Sequence, residues 1–414
     1  MQTADKKPFS GWEMLFLCFL GQNLGQGLGF GSFGALLANT EQHFGITRAA
    51  ASTGMSLIGG VQGVMAVLAG VFLLQRVSLR TTFIIGAILS AIGYLALAFL
   101  QSFGLALVAY GMIGTGICLL SVLGPTTLIS RWFIADRGKV LGIVNLPIMI
   151  LLTPYFVGLV LPAVGRLTLF MGFSAAFLLM IPLLFRIIDF PADVGQSPRD
   201  IVSDSPGPST ATPLISVRTV LTNPLFWLMS LAIGVVAGAG TAFMTHAVPF
   251  GMGQGLSLQG AAAVVSVYAG SGLIGCPLFG WIADRLGPPT AMLLNTMCQA
   301  VLWWGLLHVT GTALFILASL LGMCVVPIVT LMGATMGALF GAANVGRAMG
   351  IAFGIKLPFL FGLPPLIGFL FDRSGNYHLA FLVTAGLLVA ASVCCALTVY
   401  ASRRPAALAV ASIN

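Results

Sequence analysis

The sequence predicts an all-α membrane protein of twelve transmembrane helices arranged as two pseudo-symmetric six-helix halves. Three observations carry that prediction. Charged residues make up only 7% of the chain against 58% hydrophobic ones, with a mean hydropathy of +1.05. So few charges cannot cover the surface of a water-soluble chain of 414 residues, so the expected solvent is lipid. Twelve apolar runs approach or exceed the length of about 20 residues that a helix needs to cross a bilayer. Finally, the cations sort by loop.

The runs lie near 12–37, 52–74, 81–100, 104–129, 140–164 and 167–188, then 225–250, 261–283, 289–309, 312–340, 348–370 and 379–400. The first is too long and glycine-rich for a cleaved signal and reads as an anchor. On this model only Arg48, Arg166 and Arg373 fall on one side of the membrane. Apart from Lys356, which lies within a run, the rest of the 18 Lys and Arg fall on the other. The positive-inside rule then puts both termini in the cytoplasm, as expected for a multi-pass protein of the plasma membrane, here a bacterial inner membrane. Because its cations are not clustered on one face, the net charge of +8 gives no reason to expect a nucleic-acid partner.

All seven cysteines lie inside predicted spans, with no C-x-x-C pair among them. Neither a disulfide framework nor a zinc site is expected, and no metal or cofactor. The cysteines read as small packing residues.

Between spans six and seven, "DFPADVGQSPRDIVSDSPGPSTATPLISVRT" is rich in Pro, Ser, Asp and Gly. It predicts a flexible cytoplasmic linker, so the domains are expected at 1–188 and 222–414 with the linker at 189–221. The two halves repeat. "RGKVLGI" after span four and "GRAMGI" after span ten place Gly142 and Gly350 208 residues apart. "GWIADRLG", starting at Gly280, has an eroded counterpart, "GVFLLQRV", starting at Gly70, 210 residues earlier. Two loops repeating at nearly one spacing predict a duplicated six-helix unit.

"GWIADRLG" resembles the G-x-x-x-D-R-x-G gating loop of the major facilitator superfamily, on Gly280, Asp284, Arg285 and Gly287. In that family the Asp caps a helix end and helps hold the cytoplasmic side closed. In the first-half copy Leu74 or Gln75 stands where the acid would be. "ISRWFIADRGKVLGI", with Arg131 and Arg137, is similar to a stretch of the monocarboxylate porters and oxalate/formate antiporters. "THAVPFGMGQGLS" and the lysine-bearing span eleven fit the same branch. The resemblance covers the whole chain and implies the major facilitator fold, with a small organic anion carried by rocking of two halves about a central site. A monomer is expected to be the functional unit.

Lys356 is the ionisable residue that composition alone would single out. A Lys near the bilayer centre costs about 2.5–3.5 kcal/mol on insertion scales. It either snorkels to the interface or pairs with an anionic substrate. Pro358, Pro364 and Pro365 loosen the same helix and suggest that it lines a cavity. The resemblance implies the second role, since oxalate/formate antiporters carry a lysine in this helix that meets the substrate carboxylate. Those relatives also place an arginine in span eight, where alignment on "GWIADRLG" puts Cys276 in this chain. One cationic partner is therefore missing, which favours a monoanion over a dianion.

His246 either relays protons and binds substrate, or caps the end of span seven before Pro249. Lys356, if it releases its proton when empty, is the other relay candidate, giving proton–anion symport. Otherwise the carrier exchanges anions. Gln22 and Gln26, four residues apart on one face, together with Asn23, Asn145 and Tyr268, could bond a carboxylate or tie helices together. Asn295 and Gln299 are weaker candidates.

The alternative within transport is a proton-driven drug or metabolite efflux pump, but span five lacks the G-P motif of many such exporters and a lone cation would repel cationic cargo. An enzyme would need a nucleophile with its base, or clustered metal ligands, and the sequence offers no such set.

Overall fold

The computed structural model describes residues 9–69, 73, 76–133, 137–197, 216–341 and 344–403. The eroded loop positions Gly70, Leu74 and Gln75, and residues 198–215 of the expected linker, lie outside the described residues. Every regular element among the described residues is helical, apart from an isolated bridge at Phe133. In chain order they are α1 (Gly11–Gln26), α2 (Phe33–Phe44), α3 (Arg48–Leu68), α4 (Leu79–Phe99), α5 (Phe103–Ile117), α6 (Gly124–Trp132), α7 (Arg137–Val144) and α8 (Ile148–Leu184). There follow α9 (Val217–Thr222), α10 (Pro224–Gly253), α11 (Leu258–Leu286), α12 (Pro288–Gly305), α13 (Thr312–Val325), α14 (Ile328–Phe340), α15 (Val345–Ser374) and α16 (His378–Arg403).

These elements map onto the twelve apolar runs. The first run is α1 and α2 joined through a π-helical stretch at Gly27–Gly31, and the fourth is α5 and α6 joined through another at Cys118–Leu123. Runs five and six share α8, which turns at Gly165, where φ is 73° and ψ 170°. That backbone region is open to glycine alone at low cost. Run ten is α13 and α14, parted at Pro327, which cannot donate a backbone hydrogen bond.

The chain divides into two compact units, residues 1–33 with 57–207 and residues 34–56 with 208–414. In the first unit, α1 lies close against the π-helical stretch of the fourth run. Ser121 Oγ donates to the Gly21 carbonyl at 2.8 Å, and a Cβ on Gly21 would sit 3.1 Å from the Leu120 carbonyl oxygen. Glycine lets these backbones approach, as the small-residue pattern predicts. Tyr94 packs among Phe170, Phe173 and Phe177 at centroid distances of 5.4 to 6.1 Å.

The same unit has an acid at the end of the sixth run. Both oxygens of Asp189 accept from the first backbone N–H groups of α4, Leu79 at 2.7 Å and Arg80 at 3.2 Å. Those N–H groups have no partner within their own helix, and a carboxylate also suits the positive end of the helix dipole.

In the second unit an aromatic core joins Phe243 to Tyr268 and Trp303, and Trp303 to Phe381. Cys18, Cys118, Cys324 and Cys395 are buried, Cys276 and Cys394 half-buried, and Cys298 exposed; all seven are free thiols.

Candidate functional site

Lys356 lies in α15, eleven residues past its first residue, or about 16 Å along the axis at 1.5 Å per residue. The sequence reading began this helix near 348 and so put the lysine closer to its end. The side chain is half-buried. Its Nζ stands 3.7 Å from the ring centroid of Phe353, one turn earlier on the same face, a cation–π contact. Among the described residues no carboxylate lies within ion-pair distance of it. Near Lys356 the helix is open: a Cβ on Gly350 or Gly354 would meet nothing within 4 Å.

His246 is 1% exposed in α10. Its Nε2 lies 2.9 Å from the Pro364 carbonyl oxygen of α15, and its Nδ1 3.2 Å from the Tyr377 hydroxyl. The ring therefore bonds to a neighbouring helix, while α10 runs on through Pro249 to Gly253. Tyr377 connects onward to Arg48, whose Nη1 donates to its hydroxyl at 3.1 Å. Arg48 is paired with Glu41, Nε to Oε1 at 2.7 Å and Nη2 to Oε2 at 3.0 Å, and its guanidinium lies 4.1 Å from the Phe371 ring centroid.

Glu41, Arg48, Asp372 and Tyr377 were not singled out as site residues from the sequence. The available signal was Arg48 itself, one of the few cations on its side of the membrane.

The remaining candidates separate. Asn23 is 5% exposed and both ends of its amide are engaged: Nδ2 donates to the Phe19 carbonyl at 3.1 Å, and Oδ1 accepts from the Met149 backbone N–H at 3.0 Å. It thereby serves as a cap for α8, just past the break at Asn145–Leu146–Pro147. Asn145 is exposed there and donates to Leu141 O at 2.8 Å. Gln22 is half-buried, with its Oε1 enclosed and without a hydrogen-bond partner, and Gln26 is half-buried at the entry to the π-helical stretch.

In the other unit Tyr268 is 2% exposed and packed on Phe243 at 4.9 Å, and Cys276 sits half-buried on α11. Asn295 donates to the Cys324 carbonyl at 2.7 Å and accepts from Gln299 at 2.7 Å, a buried interhelical tie.

The gating-loop residues close α11. Gly287 N–H donates to the Ala283 carbonyl at 3.0 Å, and its φ of 84° turns the chain into α12. Asp284 and Arg285 are exposed on the last turn, Arg285 lying 4.5 Å over the Trp281 ring; Gly280 stands one turn earlier. In the first unit Arg131 pairs with Asp189 at 3.7 Å and lies over Phe190, and Arg137 opens α7.

This helical plan agrees with a sequence match. Residues 15–356 fit the family model of the Major Facilitator Superfamily. The chain belongs to that superfamily of membrane transporters. Among solved structures it is similar to a bacterial homologue of the human lysosomal transporter Spinster, with a TM-score of 0.69 at 16% identity over 96% of this chain and 98% of that one. It is also similar to a peptide transporter, POT, at TM-score 0.72 and 14% identity over 94% and 95%. These likenesses speak for the fold.

Among sequence relatives it is 27% identical to Monocarboxylate transporter 11 of Homo sapiens over 92% of this chain and 81% of that protein. The Mus musculus protein of the same name is also 27% identical, over 92% and 86%. Monocarboxylate transporter 10 of Danio rerio is 26% identical over 78% and 65%. The facilitator is therefore a multi-pass carrier of a small molecule across a membrane.

Proposed function

We propose that this facilitator carries small organic anions, monocarboxylates above all, by alternating access, with Lys356 pairing the substrate carboxylate. The observation that carries the reading is the Lys356 ammonium: half-buried, deep in a proline-loosened apolar helix, and resting on an aromatic face with no carboxylate beside it among the described residues. A carboxylate placed about 4 Å away would gain about 4 kcal/mol at an effective dielectric of 20.

The relatives named monocarboxylate transporters support the same class of cargo. A second charge on the substrate would have no cation to meet at Cys276, so a monoanion suits the site better than a dianion. Gln22, Gln26, Asn145 and Tyr268 remain the further polar candidates to bond the carboxylate, while the Asn23 amide is taken up at both ends within its own unit. Coupling is by proton symport or anion exchange, with His246 and Lys356 as the proton-bearing groups. The loops at Gly280–Gly287 and Arg131–Arg137 act as the cytoplasmic gates, and residues 189–221 link two six-helix domains. Both termini face the cytoplasm of a plasma membrane, and the monomer is the working unit.

A thermal-shift panel of small acids on the purified protein tests the reading. Monocarboxylates are expected to raise the midpoint of the parent protein and to leave Lys356→Gln unmoved. Equal shifts in both proteins would set the reading aside.

A further inference from the structure

The unit formed by residues 34–56 and 208–414 holds a hydrogen-bond chain whose direction is fixed at every link. A carbonyl can only accept, so His246 Nε2 donates to Pro364 O. A neutral imidazole protonated on Nε2 leaves Nδ1 as an acceptor, so the Tyr377 hydroxyl donates to it. Tyr377 Oη accepts in turn from Arg48 Nη1, and Glu41 holds the guanidinium through Nε and Nη2. Asp372 anchors the same corner, accepting from the backbone N–H of Arg48 at 3.2 Å and of Ala49 at 2.9 Å. Donation thus runs one way, from Arg48 to Tyr377 to His246 to Pro364.

Beside this chain lies a cavity of about 390 Å³, whose wall includes Ala38, Arg48, Gln254 and Tyr377. Gln254 Oε1 is buried there without a hydrogen-bond partner. Tyr377 therefore stands between the cavity and a histidine that solvent does not otherwise reach.

We propose that His246 is a proton-binding site of this transporter, loaded from the cavity through Tyr377, and that loading it releases Arg48 from Tyr377. The proposal rests on the transport reading only for the use made of the proton. In the loading step the Tyr377 hydroxyl proton passes to His246 Nδ1, and the phenol oxygen takes a proton from hydronium in the cavity. One proton is gained overall and one water is left behind. The ring is then an imidazolium donating from both nitrogens.

Tyr377 Oη now faces two cationic donors, His246 and Arg48, and its own proton no longer points at an acceptor. The other charged groups at this corner are Glu41 and Asp372. Glu41 is engaged by both nitrogens of the Arg48 fork and Asp372 by the start of α3, so neither is free to meet the imidazolium. Two like charges on one phenol oxygen in a poorly solvated corner repel, and the bond to Arg48 gives way. Asp372 still holds the backbone of Arg48, but without its bond to Tyr377, between α15 and α16, the Arg48 side chain is free to move in the cavity wall and expose Ala38.

The test needs no carboxylate in the buffer, so it stands apart from the anion reading. Ala38→Cys is introduced into the full chain in lipid nanodiscs. Its alkylation rate is followed by peptide mass spectrometry, normalised at each pH to the denatured protein. The rate is expected to rise at least about fivefold on acidification from about pH 8 to about pH 4.

With His246→Gln added, which keeps a donor and an acceptor but binds no proton, the rate stays low throughout. With Tyr377→Phe added, which keeps the ring packing and removes the hydroxyl, it is high and flat. A parent rate that does not rise on acidification overturns the proposal, as does a rise that survives in His246→Gln. Should that variant fail to fold, a pH-dependent rise persisting in Tyr377→Phe overturns it equally.

Discussion

Asn23 Oδ1 accepts a hydrogen bond from the backbone N–H of Met149 at 3.0 Å, so a polar side chain from the first span caps a helix in the fifth. The first N–H groups of α8 have no partner within their own helix: that of Ile148 turns back to the Leu146 carbonyl at 2.9 Å, and that of Met149 is left to Asn23. The other end of the amide bonds to the Phe19 carbonyl.

Asn23→Leu should therefore act on stability. Leaving a buried donor unpaired costs about 1–3 kcal/mol. A lowered unfolding midpoint is expected, and carboxylate affinity of the protein that remains folded should change less than in Gln22→Leu. A variant with unchanged midpoint and lost affinity would make Asn23 a substrate ligand first and a cap second.

Gly165 divides α8 into two spans at φ 73° and ψ 170°. A side chain there forces a sparsely allowed backbone, at about 1–3 kcal/mol. Gly165→Ala is expected to lower the thermal midpoint, whereas Gly172→Ala, where a Cβ would meet nothing within 4 Å, carries no such strain. Gly172 does sit inside a helix, so alanine there should hold or raise the midpoint. Equal midpoints in the two variants would refute this account of the turn.

Asp372 closes the N-terminus of α3 through two backbone N–H groups. Asp372→Ala removes both acceptors, and loss of such a cap costs about 0.5–2 kcal/mol. The change should be read first in hydrogen exchange of residues 47–52, which should speed up while α12 keeps its protection. Uniform acceleration over the unit would mean that the carboxylate holds more than this helix start.

Cys276 stands where the porters resembled by the sequence carry arginine, and it contributes no charge on α11. Cys276→Arg should improve dicarboxylate binding relative to monocarboxylate binding by about tenfold, equivalent to 1.4 kcal/mol. Competition of labelled monocarboxylate uptake by a dicarboxylate measures the ratio. An unchanged ratio would contradict the charge-matching argument.

The twelve spans were legible because span length and apolarity are local properties, set by the thickness of the hydrocarbon core. The turn at Gly165 falls between the runs at 140–164 and 167–188 and was expected, whereas the run at 312–340 passes through Pro327 without showing the break there. Side-chain partners were another matter. Arg48 and Tyr377 are 329 positions apart, and nothing local to "GITRAA" or "SGNYH" announces that they meet. For Asn23 the sequence left a substrate contact and a tie between helices both open, because its partner, a backbone N–H in another span, has no signature in sequence.

Lys356 was conspicuous for the opposite reason: a single charge in an apolar run needs no partner to be noticed. Its position eleven residues into the helix follows from α15 beginning at Val345.

The account depends most on Lys356 being the group that meets the substrate's negative charge. Uptake of a radiolabelled monocarboxylate into proteoliposomes holding equal amounts of folded parent and Lys356→Gln protein measures this directly. The account predicts a fall in initial rate of at least about 100-fold, the effect of losing about 2.7 kcal/mol of carboxylate pairing. Uptake by Lys356→Gln at the parent rate would contradict it.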